Sequence, residues 1–240
     1  MKKINLLLIF FLVSACTNST KVVFLGDSIT AAAIYDKEVA EPWGDTFVYP
    51  KATGFITLLN ENVGDNVELI GKGVSGDKVS DLLTRYKDDV MKLNPDIVFI
   101  YIGINDVWHK YDFGTGSDID FYESGLRKII YDIKSQDANI VLCTPTLIGE
   151  NSGEFRLGNQ FKDVETMEKM NGDLDAFSDV IRKLSTEFNT DLIDLREIFM
   201  SYVSENNLNN EAAGLLTYDG VHLNDLGNKL IADEMIKFID

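Results

Sequence analysis

The sequence predicts an α/β protein, a three-layer α/β/α sandwich around a central, mostly parallel five-stranded sheet. Short apolar, β-branched runs alternate with longer stretches of helical spacing, the signature of βαβ units. One run, Ile97-Val98-Phe99-Ile100-Tyr101-Ile102, is apolar without a break, as a strand covered on both faces should be. The 240 residues, less a short leader, suit one domain with a full core, and they contain no repeat, low-complexity tract or internal linker.

The elements follow in order. Residues 22–25 read as the first strand. Residues 52–60 read as a helix, because Phe55, Leu58 and Leu59 share a face. Residues 67–70 are the second strand. Residues 79–93 are helical, with Val79, Leu82, Leu83, Tyr86 and Val90 at helical spacing. Residues 96–102 are the clearest strand. A helix over 120–136 leads to a strand over 139–143. A long helical region over 163–189, interrupted near Gly172, precedes a short last strand at 191–194. A helix over 226–238 closes the domain. Two aromatic-rich stretches, 33–50 and 111–118, fit no element. Both follow strand ends, where ligands sit in such folds.

The first residues differ from the rest. Met1-Lys2-Lys3 is basic, residues 4–13 are apolar except for Asn5, and Ser14-Ala15 are small. That is the layout of a secretory signal, too short to span a bilayer. Leu12-Val13-Ser14-Ala15-Cys16 resembles the lipobox of bacterial lipoproteins. The resemblance implies a signal peptide over 1–15, a lipidated Cys16 with a polar tether over 16–20, and a folded domain over 21–240. It implies an exported bacterial lipoprotein, held at the cell envelope and touching the membrane only through Cys16. The plainer alternative is an ordinary cleaved signal with an incidental Cys.

Composition narrows the partners. The formal net charge is −17, and no Lys/Arg cluster offers a basic patch, so nucleic acid is not expected. The only other cysteine, Cys143, lies in an apolar run without a basic neighbour and reads as a buried, inert thiol. With no His pair at ligand spacing, no Cys cluster, no Ca²⁺ loop and no Walker loop, no metal or other cofactor is expected. The oligomeric state is not legible.

Four loops carry the chemistry. In Gly26-Asp27-Ser28, the glycine permits a sharp turn that leaves Ser28 at a strand's C-terminal edge. A serine hydroxyl is a poor nucleophile without a base. One of the two histidines lies in Asp219-Gly220-Val221-His222, where the aspartate can accept from Nδ1 and fix the tautomer. Gly71-Lys72-Gly73-Val74-Ser75-Gly76-Asp77 can bring backbone N–H groups close to a substrate. Gly103-Ile104-Asn105-Asp106 follows the best strand, and the Asn105 amide can donate to an oxyanion.

These blocks, in this order and over nearly the whole chain beyond the leader, resemble those of the SGNH (GDSL) hydrolases. The resemblance implies a flavodoxin-like α/β/α fold and a serine carboxylic ester hydrolase. Ser28 would be the nucleophile, His222 the general base and then acid, and Asp219 its orienting partner. The oxyanion hole would be the N–H groups of Ser28 and Gly73 with the Asn105 side chain. Gly71 departs from the pattern, since many relatives carry Asn there. Asp27, Trp108 and His109 are candidates for the substrate pocket, His109 in a loop after the third block. Trp43, Tyr111 and Phe113 could line it or be satellite core. Members of the family act on short acyl esters, acetylated sugars, lysophospholipids and thioesters. An exported, lipid-anchored member fits deacetylation of polysaccharide or cleavage of lipid-derived esters, and the lack of a long apolar lid favours a short-chain or O-acetyl ester of carbohydrate. A lysophospholipase or thioesterase for longer chains is the rival enzyme. A non-catalytic glycan-binding lipoprotein is the rival of another class.

Overall fold

A computed structural model describes residues 19–37, 51–151, 153–157 and 160–239. The leader, Cys16, Trp43 and most of the 33–50 stretch lie outside the described residues. Five strands form one parallel sheet: β1 (Thr20–Gly26), β2 (Val67–Gly73), β3 (Ile97–Tyr101), β4 (Asn139–Cys143) and β7 (Asp191–Ile193), in the order β2-β1-β3-β4-β7. All of β3 is buried, and β1 and β4 are buried over most of their length, as their apolar sequences require. Phe24 of β1 stacks on Phe99 of β3, with ring centroids 4.9 Å apart.

Helices cover both faces: α1 (Ser28–Ala32), α2 (Phe55–Asn60), α3 (Val79–Asp89), α4 (Ile104–Asp112), α5 (Ile119–Lys134), α6 (Val164–Phe188), α7 (Leu195–Asn206) and α8 (Asp225–Met235). A small antiparallel hairpin, β5 (Phe155–Leu157) with β6 (Gln160–Lys162), stands apart from the sheet. The chain leaves β1 for β2 on one side and later adds β3 on the other. The strand order therefore reverses between β1 and β3, and in open α/β sheets the crevice beyond that point is where ligands bind.

Several elements differ from the sequence expectation. The helix expected from 52 begins at Phe55, and the one expected over 79–93 divides into α3 and a 3-10 turn at Met91–Leu93. β2 runs on to Gly73, so the first three residues of the second glycine-rich block are strand rather than loop. α6 is continuous through Gly172. A glycine costs a helix about 1 kcal/mol against alanine, but the buried face of Met167, Met170, Leu174, Phe177, Ile181 and Leu184 carries α6 across it. His109 lies on a helix, α4, not in a loop. The sequence pattern marks none of α1, α4, α7 or the hairpin.

Candidate active site

The sheet register gathers the glycine-rich blocks at one edge. Gly26 pairs with Gly73 of β2 and with Tyr101 of β3. Ser28, two residues beyond Gly26, opens α1, whose N-cap is Asp27. Gly73 ends β2 against α1. A Cβ there would lie 2.1 Å from the Ala31 nitrogen, so only glycine allows the two backbones to approach this closely. Asn105 stands in the first turn of α4, just past β3, and is 4% exposed. Gly103, at φ 133°, launches that helix in a backbone region that favours glycine. One N–H of the Asn105 amide donates to the Asp77 carbonyl at 3.1 Å, and no acceptor among the described residues takes its second.

The last block arrives from far along the chain. His222 Nε2 lies 3.0 Å from Ser28 Oγ, and His222 Nδ1 lies 2.8 Å from Asp219 Oδ2. Asp219 Oδ1 accepts the backbone N–H groups of Val221 and His222, at 3.0 and 2.7 Å. Burial alone would push the Asp219 carboxyl up. The His222 ring and these N–H groups outweigh it and hold the group below the ordinary aspartate range. The Asp219 carboxylate thus faces the imidazole, and an imidazole so held can take a proton from Ser28 Oγ. Asn224 caps α8 through the N–H groups of Leu226 and Gly227, which leaves Asp219 and His222 free of capping duty.

Residues 24–230 match the GDSL-like lipase/acylhydrolase family model. The chain belongs to that family. A crystal structure of the acetyl xylan esterase AlAXEase superposes with a TM-score of 0.77 at 39% identity, over 92% of this chain and all of the other. An acetylxylan esterase of Geobacillus stearothermophilus is 28% identical over 228 residues, 91% of this chain and 93% of the relative. A protein of Bacillus subtilis (strain 168) called uncharacterized lipoprotein YqeF is 23% identical, over 95% of this chain and 93% of its own. This member of the GDSL-like family is a carboxylic ester hydrolase, with the α/β/α fold of its relatives.

Other residues sharpen the site. Arg85, on α3, was not singled out by sequence. Its guanidinium donates to the Gly26 carbonyl at 2.8 Å, the Lys72 carbonyl at 3.0 Å and Asp77 Oδ2 at 2.7 Å. It thereby ties the residues before Ser28 and Gly73 to the loop that receives Asn105. No local pattern marks it, because two of these partners are backbone carbonyls.

Asp27, expected in the pocket, is instead buried beneath the turn at 2% exposure, where Oδ1 accepts the Ile29 N–H at 2.9 Å. Burial pushes its carboxyl up to about 7, against the pull of the Ile29 N–H and of His222. Asp106, fully buried, is pushed up to about 6 for the same reason, with the Ser117 hydroxyl and the Val79 N–H opposing. It accepts the Val79 N–H and so helps to start α3.

Trp108 and His109 are half-buried. The His109 ring packs edge-on to Phe113 at 5.0 Å and borders Gly76 in the second block, which puts it on the rim of that loop. Burial and then Lys78 lower its pKa. Trp108 donates within its own helix to Asp112, and Tyr111 donates to Asp173 at 3.0 Å. Phe113 is exposed. The Tyr218 ring stacks on the His222 ring with centroids 5.8 Å apart, and Lys51 Nζ lies 4.7 Å from the centroid of the Tyr218 ring. Cys143 is buried, and burial pushes its thiol well up, away from thiolate chemistry.

Proposed function

We propose that the protein is an exported lipoprotein esterase that removes O-acetyl groups from carbohydrate through an acyl-enzyme on Ser28. The observation that carries this reading is the unbroken relay Ser28–His222–Asp219, with links of 3.0 and 2.8 Å. Ser28 Oγ attacks the acetyl carbonyl carbon while its proton passes to His222 Nε2. Asp219 keeps the imidazole in the right tautomer and stabilises its protonated form. The N–H groups of Ser28 and Gly73 and the free N–H of the Asn105 amide hold the negative oxygen that forms. The tetrahedral intermediate collapses, His222 gives its proton to the departing sugar oxygen, and the acetyl group stays on Ser28. Water then adds to the acyl carbon and loses a proton to His222. Collapse returns that proton to Ser28 Oγ and releases acetate.

The acetyl preference is supported by relatives named acetylxylan esterases at 28% and 39% identity over nine-tenths of the chain. Anchoring is supported by the Leu12-Val13-Ser14-Ala15-Cys16 pattern and by a relative named a lipoprotein. On this reading residues 1–15 are removed, Cys16 is lipidated, 16–20 form the tether and 21–240 the enzyme.

The test is hydrolysis of p-nitrophenyl acetate, butyrate, octanoate and palmitate, and release of acetate from acetylated xylooligosaccharides, by wild type and Ser28→Ala. Acetyl esters should be the fastest, and the variant should lose all but a trace of activity. Full activity in Ser28→Ala would overturn the mechanism, and a maximum at octanoate or palmitate would overturn the substrate class. Mass spectrometry of the envelope fraction should find diacylglycerol on Cys16, whereas an unmodified Cys16 would remove the anchor.

A further inference from the structure

Asp219 and His222 stand on neither a strand nor a helix. They lie between α7 and α8, where the only bridge among the described residues joins Thr217 to Leu223. An imidazole there must still be held to a fraction of an ångström. Beneath this stretch, in the loop after β4, lies Glu150, a carboxylate 2% exposed that the relay does not use. One oxygen accepts the Leu215 N–H at 2.7 Å. The other accepts the Leu216 N–H at 2.7 Å, the Thr217 N–H at 2.5 Å and the Thr217 hydroxyl at 2.7 Å. These donors are all neutral. A buried carboxyl group is costly unless its oxygens are hydrogen-bonded, and here four donors converge on it.

The bonds continue into the Asp219–His222 turn. The Thr217 hydroxyl accepts the Gly220 N–H at 3.0 Å, so it links Glu150 to the residue after Asp219. The Gly149 N–H donates to the Gly220 carbonyl at 2.7 Å, and the Glu150 N–H to the Ala212 carbonyl at 2.9 Å. The Tyr218 N–H donates to the His222 carbonyl at 2.9 Å and closes the turn. Glu150 is itself fixed from behind, because the Asn207 amide donates to its carbonyl at 2.6 Å.

We propose that Glu150 is a positioning residue, which clamps residues 215–217 and, through the Thr217 hydroxyl, the Gly220 backbone, so that Asp219 and His222 face Ser28. This rests on the reading of Ser28, Asp219 and His222 given above. Glu150→Gln keeps the volume but swaps one acceptor oxygen for an NH₂ that faces N–H donors, which leaves buried donors opposed.

The test is kcat and KM for p-nitrophenyl acetate with the full chain, in wild-type and His222→Ala backgrounds. Glu150→Gln should lower kcat about 10²-fold, the size of loss a 1 Å misplacement causes, with KM within about twofold. In the His222→Ala background the same substitution should change kcat by less than about threefold, because no imidazole remains to be misplaced. A folded Glu150→Gln with wild-type kcat, or an equal loss in both backgrounds, would overturn the proposal. Thr217→Val leaves the carboxylate's three backbone bonds and removes the hydroxyl, and with it both that hydroxyl's bond to Glu150 and the link to Gly220. It should lower kcat about tenfold in the wild-type background alone, and its result decides the matter if Glu150→Gln does not fold. No loss, or an equal loss in both backgrounds, counts against the clamp. Full activity in Ser28→Ala would instead overturn the site itself, a different failure.

Discussion

The two halves of the site are built in different ways. Ser28, Gly73 and Asn105 stand at the C-terminal ends of β1, β2 and β3, and their spacing follows from strand register. Asp219 and His222 stand in a stretch without regular structure, where the N–H groups of Leu215, Leu216 and Thr217 donate to the Glu150 carboxylate and the Gly214 and Leu215 carbonyls accept from the Asn224 amide. The first half is placed by apolar packing that serves the whole sheet. The second packs Leu216, Val221 and Leu223 into the core but is oriented by a few polar groups around that turn. The sheet edge therefore takes its position from many contacts, with Arg85 tying its loops together, while the turn leans on fewer anchors.

The proposed roles of these halves predict unequal losses. His222→Ala and Ser28→Ala should each lower kcat by about 10⁴–10⁶-fold, and the double variant no further, since each already breaks the relay. Asn105→Ala should lower kcat by about 10²–10³-fold with KM little changed, because one oxyanion donor is lost and others remain. Steady-state kinetics on p-nitrophenyl acetate measures all four. If Asn105→Ala were as damaging as His222→Ala, the two halves would not be separable.

Legibility in the sequence follows the same division. The five strands are visible because each carries a short run of apolar residues, several of them β-branched, and α3, α5, α6 and α8 are visible because their apolar residues recur at helical spacing. α7 is not, since its buried residues are Leu195, Arg196 and Phe199, an arginine among two apolar side chains. α4 hides because Trp108-His109-Lys110-Tyr111-Asp112 carries no apolar stripe, and its buried part is confined to residues 104–107. Ser28, Asp219, His222, Gly73 and Asn105 are legible as short blocks whose residue types are tied to one chemistry. Arg85 and Glu150 are not. Arg85 reaches a carbonyl 59 residues away and Glu150 an amide 67 residues away. Backbone groups carry no residue identity, so only the fold reveals what these two side chains hold.

Arg85 is to the sheet-borne half what Glu150 is to the turn. An ammonium on a flexible stem cannot reproduce the planar fork that reaches Gly26, Lys72 and Asp77 together. Arg85→Lys should lower kcat by about 10–10²-fold through loosened donors. It should also lower unfolding stability by about 2–3 kcal/mol, for the lost charge-assisted hydrogen bonds. Denaturant midpoints and kcat, measured on the same preparations, check both. A midpoint and kcat equal to wild type would mean that packing alone sets the register.

The smallest effect expected concerns Asp27, and it has a sign that depends on pH. An unfolded aspartate ionises near 3.8, whereas burial holds Asp27 in the fold up to about 7. Below pH 3.8 both states keep the proton. From there to about 7 the unfolded chain releases it and the fold does not, so this group's contribution to stability falls as pH rises through that window and levels off above it. Asp27→Asn removes the titration while its side-chain oxygen can still cap Ile29. Each pKa unit corresponds to about 1.4 kcal/mol, so half of the shift would make the variant about 2 kcal/mol more stable than wild type at pH 8. The advantage should shrink towards pH 4, and thermal unfolding of both proteins across pH 4–8 measures it. A difference that does not change with pH would show that Asp27 is already ionised within the fold. The charge beside Ser28 would then be held by the Ile29 N–H and His222 rather than suppressed by burial.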